Sequence, residues 1–316
     1  MGLKLPEELM FLANSRKPQH TSDVSMAGKL VVISGSTSGV GLSALKRFAA
    51  GGANLVMVCR NRAKAEAIRT EIQSEHDVSI DIYVADFASQ DDIRRAAGEI
   101  LEHHAKIDVL INSVGIHSTR RSYTKDGIET VFAVNHLGVF LFTTLLLERI
   151  KQSAPARIIQ VNSEGHRFNG LRVRDVNFKR RIYTGLRGYG QSKTAQLLTT
   201  WEFADQLRGT GVTINAMHPG AVKTNIGSNN GWLYRFFLRH FTWHFLKDVS
   251  ISGESLYWLA SAPELSDTTG KFFNLTIEEV PAHHARNRKR GKAVWDLSRQ
   301  MCHLDPIDNG GDSDEL

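Results

Sequence analysis

Residues Leu30–Val31–Val32–Ile33 form a short apolar run, which is followed directly by Ser34–Gly35–Ser36–Thr37–Ser38–Gly39–Val40–Gly41. A stretch of helical character, from Leu42 to Ala50, comes next. A β-branched run that is followed by serine and glycine is typical of a buried strand that ends in a turn. The order of strand, glycine-rich turn and helix predicts the first βα unit of an α/β protein.

The glycine spacing in this turn, Gly-x-x-x-Gly-x-Gly, has a physical role. Gly35 allows a tight turn, Gly39 lets the backbone approach a pyrophosphate, and Gly41 permits close packing of helix on sheet. The N–H groups and the partial positive charge at the helix start favour phosphate. An isolated glycine cluster also occurs in ordinary turns. Between this strand and this helix, it predicts a dinucleotide site formed by Gly35, Ser36, Thr37, Ser38, Gly39, Val40 and Gly41.

Apolar runs recur along the chain and alternate with segments of helical periodicity. The further runs are Asn54–Cys59, Ile80–Ala85, Val109–Ser113, Arg157–Ser163, Thr213–Met217 and Gly270–Leu275. Runs that are apolar throughout indicate strands buried on both faces, as in a parallel sheet covered by helices. We predict one doubly wound Rossmann-type α/β domain over 28–280, with a seven-stranded, mostly parallel sheet. We interpret 1–27 as an arm outside the core and 281–316 as a basic, then acidic, tail.

The end of the second predicted strand bears on the choice of cofactor. NAD sites have a carboxylate there, against the ribose 2′-hydroxyl. This chain instead has Arg60, Asn61 and Arg62 after Cys59. A guanidinium group pairs with a 2′-phosphate through two hydrogen bonds, so the sequence favours NADP(H) over NAD(H). The alternative is a solvated arginine at the start of a helix.

Three polar residues have the chemistry of an acid/base site. Ser163 ends the fifth predicted strand, and ligands of open α/β sheets gather beyond the carboxyl ends of strands. Tyr189 and Lys193 are four residues apart, so on a helix they share a face. A nearby ammonium favours ionisation of the phenol, whose ordinary pKa is ~10. Tyr189 would then exchange a proton with a carbonyl or an alcohol, while Ser163 orients the substrate oxygen.

The ordered motifs together resemble those of the short-chain dehydrogenase/reductase family over residues 28–275. They are Gly35-x-x-x-Gly39-x-Gly41, Asp86, Asn112-x-x-Gly115, Asn135, Ser163, Tyr189-x-x-x-Lys193 and Pro219–Gly220 through Thr224. The resemblance implies a catalytic tetrad in which Asn135 holds a water in the proton relay from Lys193, which also contacts the nicotinamide ribose. The implied cofactor contacts are Asp86 and Phe87 at the adenine, Asn112, Ser113, Val114 and Gly115 at the adenosine ribose, and Val222 and Thr224 at the carboxamide, with Pro219 and Gly220 beside them.

Within the family, the chain is similar to retinol dehydrogenase-like and WW-domain oxidoreductase-like members. The motifs Cys59–Arg60–Asn61, Tyr189–Gly190–Gln191–Ser192–Lys193 and His218–Pro219–Gly220 carry this similarity, as does the long separation of Ser163 from Tyr189. The segment between them, Glu164–Gly188, is rich in arginine, and we call it the basic insert. Val114 departs from the family's usual alanine and adds bulk beside the cofactor. Relatives of this kind imply a homodimer or tetramer.

An aromatic segment follows Thr224 and is predicted to form a substrate lid over 225–247. Its aromatic residues are Trp232, Phe236, Phe237, Phe241, Trp243 and Phe245. A lid of this composition predicts an apolar carbonyl or alcohol substrate. A buried core helix, a dimer contact and a peripheral membrane contact are the alternatives for this segment.

The net charge of +6 suits an anionic partner. The candidates are a phosphorylated cofactor, a nucleic acid and an anionic membrane. The basic run 286–292 has no recognition motif beside it, so no specific nucleic-acid binding is expected. The pairs His103–His104 and His283–His284 lack the spacing of zinc ligands, and no metal is expected.

The two cysteines, Cys59 and Cys302, imply no disulfide framework and suit a reducing compartment. No stretch of ~18 uninterrupted apolar residues and no signal-peptide pattern is present, so we expect a cytoplasmic protein, with peripheral membrane contact left open. The predicted function is an NADP(H)-dependent oxidoreductase with Tyr189 as acid/base. A non-catalytic, dinucleotide-responsive binding or scaffold protein on the same fold is the alternative.

Overall fold

A mostly parallel sheet forms the centre of the computed structural model, which describes residues 14, 17–220 and 248–304. Within these residues the sheet has eight strands in the order β3-β2-β1-β4-β5-β6-β7-β8. The strands are β1 Leu30–Ser34, β2 Asn54–Cys59, β3 Ile80–Val84, β4 Val109–Asn112, β5 Ala156–Val161, β6 Val212–His218, β7 Phe272–Asn274 and β8 Ile277–Glu279. The strand order reverses between β1 and β4, and open α/β sheets bind ligands beyond the carboxyl ends of their strands at such a point.

The predicted doubly wound, mostly parallel sheet is confirmed, with one strand more than the seven expected. Strands β1 to β7 run parallel, and β8 pairs antiparallel with β7. The chain reverses between them at Leu275, which has a φ of 56°. A strand of three residues is too short to show a hydrophobic period, and for this reason the sequence did not reveal β8.

Seven described helices cover both faces of the sheet. They are α1 Gly39–Ala50, α2 Arg62–Glu75, α3 Gln90–His103, α4 Thr130–Gln152, α5 Gly185–Gln206, α6 Ser250–Ser261 and α7 Arg288–Met301. Alternate residues of β1 enter different cores: Val32 packs with α3, α4, α5 and α7, whereas Val31 and Ile33 pack with α1, α2 and α6. Burial on both faces explains why most of the predicted strands are mainly apolar, whereas the edge strand β3 exposes Asp81.

Helix α4 is long and apolar enough to cross a membrane by length and composition. Most of it is buried inside the fold, with Phe132, Phe140 and Phe142 fully enclosed. These properties are those of a core helix. Its second turn, Ala133–Gly138, is π-helical, a local widening that is frequent at functional sites.

The two ends of the described chain pack on the body more closely than the sequence predicted. Instead of an arm outside the core, the segment 17–27 contributes Met26 to the core beneath α1 and α6. Instead of a tail, the region after residue 281 contains α7, whose Trp295 packs on Phe140 and Phe203 with ring centroids 5.0 and 4.7 Å apart. The many basic residues of α7 face solvent and conceal its short apolar face in the sequence. The predicted acidic end, with Asp312, Asp314 and Glu315, lies outside the described residues.

Candidate active site

The glycine-rich turn joins β1 to α1 in a conformation that only glycine fits. Gly35 has a φ of 73°, and a Cβ there would lie 3.0 Å from the backbone nitrogen of Val114. A Cβ on Gly41 would lie 2.3 Å from the carbonyl oxygen of Gly35, which is closer than any side chain tolerates. The predicted tight turn and close helix–sheet packing therefore both have a steric basis. Val40 is buried, and Thr37 and Gly39 are half-buried in the same turn.

Two serines of this turn leave hydrogen-bonding groups available. The hydroxyl of Ser36 is buried and has no hydrogen-bond partner among the described residues. Ser38 stands at the N-cap of α1 without capping it through its side chain. An unpartnered hydroxyl and an uncapped helix start suit an anionic ligand, because both can donate hydrogen bonds. The turn thus fits the phosphates of a dinucleotide.

Of the three residues after β2 that were predicted to contact the cofactor, two are engaged with α2 and one, Arg60, is exposed. The side chain of Asn61 accepts a hydrogen bond from the backbone nitrogen of Lys64 at 2.9 Å and caps α2. Arg62 lies 3.6 Å from Glu66 on the next turn of that helix. Arg60 is exposed at the carboxyl end of β2, where a 2′-phosphate would lie.

The residues predicted around the adenosine are partly structural. Asp86 accepts a hydrogen bond from the backbone nitrogen of Ala88 at 3.0 Å, and Phe87 packs in the core against Phe142 with ring centroids 5.5 Å apart. The buried amide of Asn112 donates to Thr143 at 2.9 Å. Phe87 and Asn112 are therefore able to meet a ligand mainly through their backbones.

The other residues predicted to contact the cofactor follow β4 and β6, at the carboxyl ends of these strands. Ser113 donates its backbone N–H to the carbonyl of Ser34 at 3.2 Å, and Val114 packs its added bulk against the core. The carbonyl of Pro219 accepts a hydrogen bond from Ser252 at 2.6 Å, and Gly220 has a φ of 82°. The predicted contacts Val222 and Thr224, and the predicted lid 225–247, lie outside the described residues.

The structure brings Ser163, Tyr189 and Lys193 together beyond the end of β5. Helix α5 begins at Gly185, where Thr184 caps it, so Tyr189 and Lys193 lie one turn apart on its inner face. The hydroxyl of Ser163 accepts a hydrogen bond from the backbone nitrogen of Gly165 at 3.0 Å, and a Cβ on Gly165 would lie 3.3 Å from that hydroxyl and 2.9 Å from a ring carbon of Tyr189. The Nζ atom of Lys193 lies 6.0 Å from the centroid of the Tyr189 ring.

Burial sets the protonation of both ionisable groups in this cluster. Desolvation raises the pKa of the Tyr189 phenol, and the hydrogen bond from Ser163 opposes that rise. Burial lowers the pKa of Lys193 to about 7. The sequence predicted that the lysine would lower the pKa of the phenol, but burial raises it, and Lys193 donates its hydrogen bonds to Val161 and Gln196.

Asn135, the fourth predicted catalytic residue, occupies the π-helical turn of α4. Its Oδ1 atom accepts a hydrogen bond from the backbone nitrogen of Ile116 at 2.8 Å, and its Nδ2 atom donates to Ser192 at 3.1 Å. A Cβ on Gly115 would lie 3.7 Å from Asn135 Oδ1 and 3.9 Å from Lys193 Nζ. The absent side chain at Gly115 therefore leaves a gap between the amide and the amine.

Two residues beside the cluster were missed by the sequence analysis. His117 is buried and packs edge-on against Tyr189, with ring centroids 5.7 Å apart, and burial lowers the pKa of its imidazole. Gln196 accepts hydrogen bonds from Lys193 at 3.2 Å and from Asn162 at 2.8 Å. The spacing of Gln196 from Lys193 by three residues on one helix was the only available signal; nothing local marked His117.

The turn that carries Ser163 rests on a buried ionic cluster. Arg167 pairs with Glu164 in the same 3-10 turn and with Glu279 of β8, the latter at 3.0 Å, and all three side chains are almost fully buried. His166 lies between the carbonyl of Ser163 at 2.7 Å and the backbone nitrogen of Ala282 at 3.2 Å. Burial lowers the pKa of His166 to about 3, so it is neutral and has a packing role. Among the described residues, no group of three His, Cys, Asp or Glu residues is arranged to hold a metal ion.

Comparison with known proteins agrees with this fold and shows the family of the chain. The family model of the short chain dehydrogenases matches residues 29–231. The chain is 34% identical to retinol dehydrogenase 13 of Homo sapiens over 289 residues, 90% of this chain and 87% of that protein. It is 36% identical to retinol dehydrogenase 12 of Mus musculus over 285 residues, 90% and 89% of the two chains. A crystal structure of an uncharacterized protein from Mycobacterium Paratuberculosis matches with a TM-score of 0.74 at 27% identity, over 92% of this chain and 100% of that one.

A Rossmann-type sheet with a serine, a tyrosine and a lysine gathered at its carboxyl edge defines a dinucleotide-dependent oxidoreductase. The chain belongs to the short-chain dehydrogenase family, whose cofactor is NAD or NADP. Within that family it is similar to the retinol dehydrogenases, and it is an oxidoreductase acting on an alcohol or carbonyl group.

Proposed function

We propose that this chain interconverts an apolar carbonyl compound and its alcohol with NADP(H), and that Tyr189 is the acid/base. The observation that carries the proposal is the gathering of Ser163, Tyr189 and Lys193 at the ligand-binding edge of the sheet. A nicotinamide cofactor would supply or accept the hydride. The chain's own residues would orient the substrate oxygen and move its proton.

The phenol of Tyr189 is suited to give a proton to a carbonyl oxygen. Because burial raises its pKa, the phenol is protonated at neutral pH, the form that carbonyl reduction requires. The Ser163 hydroxyl, held by Gly165, would donate to the same substrate oxygen. In the direction of oxidation, Tyr189 would accept the proton, and the ammonium of Lys193 would stabilise the phenolate.

A path for returning the proton runs from Lys193 toward Asn135. The gap above Gly115 separates the amine from the amide oxygen, and a water there would have Asn135 Oδ1 and Lys193 Nζ as neighbours. Asn135 is held on both its oxygen and its nitrogen, so its orientation is fixed. This rigidity supports a role in holding a water, as the family resemblance implies.

The preference for NADP(H) rests on charge at the end of β2. Arg60 is exposed there, whereas Asn61 and Arg62 are engaged within α2, so Arg60 is the best candidate for a 2′-phosphate. The apolar substrate is supported by the relatives' names, since retinol is an apolar alcohol.

The acid/base role is tested by Tyr189→Phe, with Tyr123→Phe as a matched control on an exposed tyrosine. We expect turnover of retinaldehyde or another apolar aldehyde to fall by roughly a thousandfold, as loss of acid/base catalysis does. NADPH affinity, followed by fluorescence titration, should change little. Turnover at the wild-type rate would overturn the mechanism. Tight NADPH binding by the wild-type chain, without turnover on a panel of aldehydes, steroids, retinoids and quinones, would favour the non-catalytic alternative.

The cofactor preference is tested by Arg60→Ala, with Arg69→Ala on α2 as the control. The substitution should lower kcat/KM for NADPH by roughly tenfold or more, the effect of losing a charge-assisted hydrogen bond, and leave kcat/KM for NADH unchanged. Equal use of both cofactors by the wild-type chain would contradict the preference.

A further inference from the structure

The basic insert holds half of the exposed large hydrophobic side chains of the described residues. Among the described residues six large hydrophobic residues are exposed, and three of them, Phe168, Ile182 and Leu186 of the insert, are 68%, 78% and 71% accessible. Two more, Tyr123 and Val280, are hydrogen-bonded to residues of the insert. Exposed apolar residues concentrated in one region indicate an interaction surface.

The same segment carries an excess of positive charge close to that of the whole chain. It contains seven arginines and lysines against two acidic residues, while the chain's net charge is +6. The two carboxylates are engaged, Glu164 with Arg167 and Asp175 with Arg181. The five remaining cations are all exposed: Arg172, Arg174, Lys179, Arg180 and Arg187.

Four of these apolar and charged side chains line one cleft, namely Arg172, Arg181, Ile182 and Arg187. The cleft has a volume of about 340 Å³ and is lined by Asn169, Gly170, Arg172, Arg181, Ile182 and Arg187. Its two walls are joined by a hydrogen bond from Asn169 to the carbonyl of Leu186 at 3.2 Å. Phe168 and Leu186 are adjacent in the chain to the lining residues Asn169 and Arg187, so exposed apolar groups neighbour a cleft lined with guanidinium groups.

We propose that this surface docks on a bilayer that contains anionic phospholipid. Phe168, Ile182 and Leu186 would enter the interface between headgroups and acyl chains, and the arginines would contact headgroup phosphates. Charge complementarity and the apolar rim together favour this partner. A nucleic acid would use the cations but leave three large apolar side chains in water.

Docking in this orientation would bring the bilayer close to the active site. Leu186 and Tyr189 lie within one turn of α5, so a membrane that contacts Leu186 lies next to the helix turn that carries the phenol. An apolar substrate dissolved in the acyl chains would then reach the site without crossing bulk water.

Vesicle flotation of the full chain tests the proposal directly. The vesicles are phosphatidylcholine with and without phosphatidylserine, and no substrate or cofactor is needed, so failure here is distinct from failure of the proposed function. The wild-type chain should float only with the anionic vesicles. Arg172→Gln/Arg187→Gln and Ile182→Ser/Leu186→Ser should each reduce the partition coefficient by roughly tenfold or more, since one surface cation alone contributes roughly fivefold.

Matched controls separate this surface from others. Lys64→Gln/Lys151→Gln removes two cations elsewhere, and Val24→Ser removes an exposed apolar residue outside the insert; both should float as wild type. Thermal unfolding of every variant verifies folding. Three outcomes would each overturn the proposal: no flotation by the wild-type chain, equal flotation with neutral vesicles, or unchanged flotation of both insert variants. The last would assign the contact to another segment.

Discussion

The Nζ atom of Lys193 lies 2.8 Å from the main-chain carbonyl oxygen of Val161, the last residue of β5. Its other hydrogen-bond acceptor, Gln196, is also uncharged. The buried amine is thus satisfied by neutral dipoles, and burial lowers its pKa to about 7. The charge that we propose stabilises a Tyr189 phenolate is therefore itself titratable near neutral pH.

Replacing Lys193 with methionine should change how stability depends on pH. The pKa of the amine is lowered from 10.5 to about 7 on folding, so the unfolded chain holds the proton more tightly. Its contribution to the free energy of unfolding therefore rises with pH between these values, by a few kcal/mol, since one pKa unit is about 1.4 kcal/mol. Urea unfolding from about pH 6 to about pH 9 should show a flatter slope for Lys193→Met, although its turnover is lost. Parallel slopes for the variant and the wild type would contradict the shift.

Alanine at Gly165 should damage catalysis by displacing the phenol. A Cβ there would lie 2.9 Å from a ring carbon of Tyr189 and 3.3 Å from the Ser163 hydroxyl. Misplacement of a reacting group by about 1 Å costs roughly a hundredfold in rate. We expect kcat to fall by that order in steady-state assays, with NADPH affinity unchanged. Gly98→Ala on α3 is the control, because a Cβ there meets nothing within 4 Å. Equal kcat in the two variants would show that the phenol tolerates the added methyl group.

The parts of the fold that were predictable from the sequence are those with local physical causes. The turn after β1 requires glycine at Gly35 and Gly41 because backbone lies within 3.0 Å of where a Cβ would stand. The buried strands β1, β2, β4, β5 and β6 showed mainly apolar runs for a similar reason, since both faces of each strand are covered, whereas the edge strand β3 exposes Asp81. Tyr189 and Lys193 were brought together by helix geometry alone.

The parts that the sequence did not reveal depend on contacts between distant segments. Arg167 and Glu279 are 112 positions apart, and neither residue's neighbours indicate the pair. His117 meets Tyr189 only because the loop after β4 packs on the start of α5. The role of Asn61 was ambiguous for a different reason, because one asparagine is equally suited to capping a helix and to contacting a ligand.

Glutamine at Glu164 should remove a pH-dependent loss of stability. Burial raises the pKa of the Glu164 carboxyl from 4.5 to about 7, despite its pairing with Arg167. The folded state therefore binds the proton more tightly, and the free energy of unfolding should fall as the pH rises from 4.5 toward 7. Urea unfolding across this range should show a smaller fall for Glu164→Gln than for the wild type. Glu148→Gln, at an exposed carboxylate of α4, should leave the slope unchanged. If the free energy of unfolding of Glu164→Gln fell with pH as steeply as that of the wild type, Arg167 would be keeping the Glu164 carboxylate of the wild type ionised.

Alanine at Trp295 tests whether the region after residue 281 belongs to the fold. The indole is 5% exposed and packs edge-on against Phe203 and Phe140, which belong to α5 and α4. Removal of a buried tryptophan costs roughly 3–5 kcal/mol, a large fraction of the stability of an ordinary domain. We therefore expect the urea midpoint of Trp295→Ala to fall sharply, while Gln300→Ala, at an exposed position of the same helix, changes stability by less than about 0.5 kcal/mol. Because α7 packs on the helix that carries Tyr189 and Lys193, turnover of Trp295→Ala should also be lost at a lower temperature than that of the wild type. A urea midpoint equal to that of the wild type would indicate that this region is the solvated tail that its basic composition predicts.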